Sequence, residues 1–175
     1  VNKNLPSKEE ALRLLHKAGC SQNVIQHCVT VAELAAKIAE LFLKKGIKVN
    51  RKLVEVGAIL HDIGRAKTHT VHHAIVGAEI AKKYGLPDSL IRIVKRHVGG
   101  GISPKEAEKL GWPNDTYMPE TLEEKIVSYA DKLIEDSRRV PIQRTIAKMA
   151  KEIPKDAVER MLKLHEEIVS IIGDL

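Results

Sequence analysis

Asn50-Arg51-Lys52-Leu53-Val54-Glu55-Val56-Gly57-Ala58-Ile59-Leu60-His61-Asp62-Ile63-Gly64-Arg65 is the stretch on which the reading of this 175-residue chain turns. Asn50 has the short polar side chain of a helix N-cap. Leu53, Val54, Val56, Gly57, Ile59 and Leu60 follow at helical spacing, and Gly64 has the freedom for a left-handed turn that stops the helix. A buried helix thus ends in His61-Asp62, two residues that bind divalent cations. Such a pair alone means little, since eight His and seven Asp among 175 residues give roughly 0.3 of them by chance. Its weight comes from company: His27 upstream, His73 and His97 downstream at helix edges, and Asp131 inside another apolar helix.

The same reading extends outward. Ser7-Lys8-Glu9-Glu10 is a capping box that opens a helix running to Gly19. Ser21 caps a long second helix that ends at Lys44-Lys45-Gly46. A fourth helix starts between Val71 and Ala74 and ends at Tyr84-Gly85, and Pro87-Asp88 opens a fifth that runs up to His97. Gly99-Gly100-Gly101 interrupts the pattern as either a lid or a turn; Pro104 to Leu110 is a short helix and Thr121 to Glu135 a longer one. Two further helices, broken at Pro141 and Pro154, end at Gly173. No period-2 alternation and no repeat of fixed length appears. The expectation is an all-α domain whose last two helices form an appended cap or oligomerisation element.

Composition agrees. Hydrophobic residues are 43% and charged residues 30%, which suits a folded globular chain, and at 3% aromatics the core must be aliphatic. No apolar run reaches the roughly 20 residues of a membrane span, and Val1 to Pro6 lacks the apolar stretch of a secretory signal, so the expected location is cytoplasmic. Cys20 and Cys28 match no zinc-knuckle spacing, and Cys28 reads as a buried thiol. The Lys/Glu-rich charge resembles the ion-pair-rich surfaces of thermophile proteins. A net charge of +6 suits a phosphate-bearing substrate. Without basic-aromatic interleaving, nucleic acid is a partner the sequence does not support, and a homo-oligomer is left open.

The polar residues fall on buried faces. His27 shares a helix face with Val24, Val31, Leu34 and Ala35, His61 continues the stripe of Val54 and Gly57, and Asp131 stands between Val127 and Ile134. An ionised Asp in a helix core is costly unless it is paired or bound to a cation. A divalent metal meets that need: imidazole with carboxylate suits Mn, Fe, Co, Ni or Zn, and Mg less well. Neighbouring residues point about 100° apart on a helix, so His61 and Asp62 can share an ion only near a helix end. Asp62 can also bridge two ions, which would leave His73 and His97 to a second.

In this order, His27, His61-Asp62 and Asp131 resemble the H…HD…D pattern of the HD-domain metal-dependent phosphohydrolase superfamily. His61-Asp62-Ile63-Gly64-Arg65 is similar to its HDIG variant. His73-Ala74-Ile75-Val76-Gly77-Ala78-Glu79 resembles the H-x3-G-A-E helix start, and Arg96-His97 and Tyr129-Ala130-Asp131-Lys132 fit the later elements. The resemblance covers residues 20–135. It implies an HD-type helical bundle over residues 1–137, with 138–175 as a helical extension packed on it. It implies His27, His61, Asp62 and Asp131 around one metal, with His73 and His97 as ligands of a second ion or as phosphate contacts. A metal-activated water would attack phosphorus, Asp62, Arg65 and Lys132 would be catalytic, and Arg65 and Lys132 would clamp the phosphate. The implied activity is hydrolysis of a phosphomonoester or phosphodiester of a small substrate, expected to be a nucleotide. Two other classes remain: a di-iron oxygenase of the same superfamily, and a non-catalytic, metal-stabilised regulatory or binding module. The chain lacks the G-Y-P triad of cyclic-dinucleotide phosphodiesterases and the acidic pair of alarmone hydrolases, and no fused nucleotidyltransferase, helicase or sensor domain is read within it.

Overall fold

Helices α1 (Lys8–Ala18), α2 (Gln22–Lys44) and α3 (Arg51–Leu60) start as their caps require. Ser7 Oγ accepts from the Glu10 amide at 3.1 Å, Ser21 Oγ from Val24 at 3.3 Å, and Asn50 Oδ1 from Leu53 at 3.0 Å. These distances come from a computed structural model that describes residues 4–175, so the reading of Val1-Asn2-Lys3 lies outside the described residues. Helix α2 is the axis of the molecule. Its Cys28, Val31, Ala35, Ile38 and Ala39 are fully buried, and α3 lies along it with Val54, Ile59 and Leu60 equally enclosed. Each such aliphatic side chain contributes about 1.5–3 kcal/mol by leaving water.

A 3-10 turn (Ile63–Ala66) follows α3, then α4 (His73–Lys83) and α5 (Asp88–Lys95), which pack side by side. Helix α6 (Pro104–Lys109) and the loop after it build a small second cluster of Ala74, Ala107, Trp112 and Tyr117. Helix α7 (Leu122–Lys132) packs against both α2 and α3. Two more helices, α8 (Ile142–Glu152) and α9 (Lys155–Ile172), complete the chain, and α9 sends Met161, Leu164 and Ile168 into the main core. Among the described residues the fold is all-α apart from one minimal hairpin and an isolated bridge between Ile102 and Tyr117.

That hairpin corrects the helix expected from Thr121 to Glu135. Helix α7 stops at Lys132, and β1 (Ile134–Glu135) pairs antiparallel with β2 (Arg138–Arg139), Ile134 opposite Arg139. The turn between them places Asp136 at φ 56°, in the left-handed region. Two-residue strands carry no alternation for a sequence to show. Helix α5 also ends early, at Lys95, leaving His97 just beyond its last turn. Gly64 does not take a left-handed turn; it lies within the 3-10 turn, and what it supplies is space. A Cβ there would lie 1.9 Å from the His73 carbonyl oxygen and 2.7 Å from the Gly77 nitrogen, so the turn sits backbone-to-backbone on α4. Gly100 serves α9 in the same way, since its Cβ would meet Met161 N at 2.8 Å. The Gly99–Gly101 segment is therefore a packed turn, tied by Arg160 Nη2 to the Gly101 carbonyl at 3.2 Å. No described helix is long and apolar enough to cross a membrane.

Candidate metal centre

Five elements deliver six side chains to one place. His27 comes from the first turns of α2, His61 and Asp62 from the end of α3, His73 from the start of α4, His97 from just past α5, and Asp131 from the last turn of α7. His61, Asp62, His73, His97 and Asp131 are buried, and His27 is only 16% exposed at its side chain.

The six residues form two donor sets that share one carboxylate. On one side, Asp62 Oδ2 lies 3.6 Å from His27 Nε2 and 3.5 Å from His61 Nε2. Asp131 Oδ1 closes that set at 2.9 Å from His27 and 3.3 Å from His61. On the other side, Asp62 Oδ1 stands 3.2 Å from both His73 and His97, whose Nε2 atoms are 3.0 Å apart. Within each set the donor atoms all lie within 4.8 Å of one another.

The second ring nitrogen of each histidine decides what the first can do. Nδ1 of His61 donates to the Ala58 carbonyl at 2.5 Å, that of His73 to Thr70 at 2.7 Å, and that of His97 to Val94 at 2.6 Å. Each of these carbonyls lies three residues earlier, and those of Ala58 and Val94 are left free by a helix end. His27 finds its carbonyl 109 residues away, at Asp136, 2.6 Å distant. With Nδ1 protonated and bonded, a neutral imidazole presents a lone pair at Nε2, which is the arrangement of a metal ligand held by its outer hydrogen bond.

The residues present therefore fit a cation. Around Asp62 Oδ1, two lone pairs and a carboxylate oxygen face each other at 3.0–3.2 Å, and that oxygen is buried and accepts no hydrogen bond. Three acceptors so close repel unless positive charge lies between them. Burial pushes His97 down to about 4, despite the pull of Asp62, so its ring is neutral at pH 7. Burial also opposes charge on His61, but Asp62, with Cys28 and Asp131 behind it, outweighs burial and holds its pKa well above the ordinary value. For Asp62, burial is outweighed by His61 and by the facing imidazoles of His73 and His97; for Asp131 it is outweighed by Lys132, His61 and His27. Both carboxyls are held well below their usual range. Imidazole with carboxylate oxygen, and no thiolate, suits Mn, Fe, Co, Ni or Zn better than Mg.

The remaining expected residues stand around this centre. Arg65 Nε is 3.1 Å from Asp62 Oδ2, Arg65 Nη1 donates to the His69 carbonyl at 3.1 Å, and the side chain is 30% exposed. Lys132 Nζ lies 3.6 Å from Asp131 Oδ2. An open cleft of about 720 Å³, bordered by His27, Asp62, Arg65, His69 and Asp136, reaches the centre. His72 accepts from Trp112 Nε1 at 2.9 Å, away from the centre. His165 is half-buried and bonded to the Tyr129 hydroxyl at 2.6 Å. Sequence reasoning missed Asp136, whose carbonyl orients His27. It also missed the buried pair beneath His97, where Arg96 Nη1 donates to Glu124 Oε1 at 2.8 Å.

The family model described as the HD domain matches residues 24–136 of this chain, a span that contains all six residues of the centre. The chain belongs to the HD-domain family. Among its relatives is an uncharacterised protein of Methanocaldococcus jannaschii, 43% identical over 166 residues, covering 94% of this chain and 98% of that one. A protein of Picrophilus torridus named tRNA (cytidine(56)-2'-O)-methyltransferase is 43% identical over 171 residues, which are 98% of this chain and 49% of that protein. This HD-domain chain thus spans about half the length of that relative. Among solved structures, the HD domain of the L. monocytogenes phosphodiesterase PgpH in complex with cyclic-di-AMP superposes with a TM-score of 0.57. It covers 95% of this chain and 98% of that one at 19% identity, a likeness that establishes the fold.

Proposed function

We propose that this HD-domain protein hydrolyses a phosphoester, a phosphomonoester or phosphodiester of a nucleotide, at the centre around Asp62. The observation that carries the reading is the shared carboxylate, which turns one oxygen toward His27 and His61 and the other toward His73 and His97. His27, His61, Asp62 and Asp131 would hold one divalent transition metal. His73 and His97 would hold a second ion together with Asp62 or, with only the first ion bound, would themselves meet the substrate phosphate. When bound, a divalent cation supplies Lewis acidity toward phosphoryl oxygen and toward water.

The protein's own residues do the rest. The four backbone carbonyls fix each imidazole, so the centre is organised before substrate arrives. Arg65 borders the cleft beside Asp62, where its guanidinium can take a phosphate oxygen while Nε stays on the carboxylate. Lys132, 29% exposed, brings a second positive charge to charge developing on a leaving oxygen. A relative named for a reaction on tRNA supports a nucleotide substrate.

The test is metal-dependent turnover. Protein loaded with Mn, Fe, Co, Ni or Zn should release p-nitrophenol from p-nitrophenyl or bis-p-nitrophenyl phosphate, and chelation should abolish release. Asp62→Asn should lose at least about a hundredfold in kcat/KM, the scale of a lost metal ligand or electrostatic group. Full activity in that variant would overturn the assignment. Iron-dependent oxygen uptake without phosphoester cleavage would replace it with the oxidative reading.

A further inference from the structure

His97 differs from the other histidines of the centre in how its backbone is held. His27, His61 and His73 lie within a helix or directly at its end, whereas α5 stops at Lys95 and His97 leads into a turn. The bond from Nδ1 to the Val94 carbonyl, at 2.6 Å, ties the ring back to α5. On its carbonyl side His97 depends on the segment that follows, Val98 to Gly101, which the Gly101 amide closes on the Val98 carbonyl at 2.9 Å.

Two side chains grip that segment from opposite sides. From within, the fully buried Ser128 of α7 directs its hydroxyl at the carbonyls of Gly99 and His97, the latter at 3.3 Å. From outside, Arg160 of α9 donates through Nη2 to the Gly101 carbonyl at 3.2 Å and to the Glu106 carboxylate at 2.5 and 2.8 Å. Glu106 is held in turn by the Ser103 hydroxyl at 3.0 Å, at the start of α6. The glycines leave no slack between these grips. A Cβ on Gly100 would lie 2.8 Å from Met161 N and 2.9 Å from Arg160 C, and one on Gly101 would lie 2.9 Å from Met118 Cα. Close-packed backbone of this kind transmits a displacement instead of absorbing it.

We propose that Arg160, on a helix beyond the end of the HD match at residue 136, is a positioning residue for His97. Through the Gly99–Gly101 turn it sets where His97 Nε2 stands, and so how tightly Asp62, His73 and His97 hold a cation. Stability alone is a poor reason for this arginine. Its side chain is 17% exposed, and its Nε is buried and donates to nothing among the described residues, so part of the guanidinium is desolvated without return. A buried ion pair contributes little net stability; what it fixes is geometry. The inference rests on the metal assignment in the reading above and not on hydrolysis.

The experiment is calorimetric titration of the metal-stripped protein with Mn²⁺. His97→Ala identifies the binding step that uses His97, by weakening it at least about tenfold, and Arg160→Met should weaken the same step by about tenfold, the range of an outer partner of a metal ligand. Arg160→Lys, whose ammonium can still reach Glu106, should stay within about threefold of wild type. In the double variant Arg160→Met/His97→Ala the loss should match that of His97→Ala alone within about twofold, because a residue acting through His97 has nothing left to act on. Ile168→Val, a mild truncation on the buried face of α9, lowers Tm without touching the turn and should leave every step within about twofold. A loss from Arg160→Met that persists in full beside His97→Ala, or that Ile168→Val reproduces, means general loosening and overturns the inference. Wild-type affinity in Arg160→Met or in His97→Ala overturns it as well. Protein that shows the coupling but cuts no phosphoester loses the hydrolase reading and keeps the role of Arg160; turnover of p-nitrophenyl phosphate without the coupling does the reverse.

Discussion

Gly64→Ala isolates the contact that brings the 3-10 turn, and with it Asp62, against His73. Two effects oppose each other. Gly64 does not have a positive φ, so alanine there should by itself stabilise the fold by about 0.4–1 kcal/mol through the unfolded chain. Against this, the new Cβ would stand 1.9 Å from the His73 oxygen, 2.7 Å from Gly77 N and 2.8 Å from the His73 carbonyl carbon, all of them backbone atoms. To reach even 3.0 Å the turn must part from α4 by about 1.1 Å, the difference between 3.0 and 1.9 Å. Overpacking of a close-packed core costs about 1–3 kcal/mol, and the upper end applies where no side chain can swing aside. The clash wins, for a net loss of about 2 kcal/mol or more, or about 4–8 °C in Tm for a chain of this size. The displaced backbone belongs to a donor residue, so His73 Nε2 should also leave its place 3.2 Å from Asp62 Oδ1. Thermal unfolding with and without metal, paired with calorimetric metal titration, reads both effects. A variant as stable as wild type, or one with an undisturbed His73–His97 donor set, would refute the argument.

Two further perturbations bear on the scaffold around the centre. Glu124 is 3% exposed, and although burial opposes its charge, Arg96, the Glu120 amide and Thr121 outweigh burial and hold its pKa below the usual carboxylate value. Its contribution is thus complete above the unfolded value of about 4.3 and is lost as pH falls through the lower folded value. Glu124→Gln should cost stability at pH 7 toward the low end of about 3–5 kcal/mol and flatten the acid limb of a denaturation series; an acid limb as steep as wild type would count against the pair. Asp136, at φ 56°, tolerates glycine but not a β-branched side chain, so Asp136→Val should lose about 1–2 kcal/mol and Asp136→Gly essentially none. Metal affinity at the His27–Asp131 set should fall with the valine variant only, and equal affinity in both would show that the Asp136 carbonyl does not orient His27.

What was legible in the chain is what local chemistry writes. Ser7, Ser21, Asn50 and Thr121 announce their helices because each cap is satisfied within three residues. The aliphatic stripes of α2 and α3 announce their buried faces, and His61, His73 and His97 sit at helix ends where a carbonyl three residues back can take Nδ1. What was hidden depends on residues distant in sequence. The hairpin from Ile134 to Arg139 is held by two paired positions and by the Val140 amide on the Leu133 carbonyl at 2.9 Å, too short a ladder to leave a pattern. The purpose of Gly64 is set by His73, that of Gly100 by Met161, and the partner of His27 by a turn at the far end of the HD match. A glycine's sequence context advertises freedom in φ; it does not advertise an approaching backbone.

The same distinction explains how a centre so costly to bury persists. Four imidazoles and two carboxylates converge where the core is otherwise Leu, Ile, Val and Ala, and the fold must offset their desolvation. Three of the histidines obtain part of that compensation locally, from carbonyls three residues away, and obtain it whether or not the other elements are in place. Asp62 and Asp131 obtain part of theirs from the neighbouring His61 and Lys132, but the rest comes from imidazoles on other elements, which meet them only when α2, α3, α4, α5 and α7 have packed. Acceptors that face one another across 3.0–3.2 Å repel unless positive charge lies between them. Any cation that binds the folded state but not the unfolded chain then stabilises the whole fold, by about 2.7 kcal/mol at a hundred times its Kd. Folding and occupancy of the centre are therefore coupled through Asp62, the one side chain that touches both donor sets.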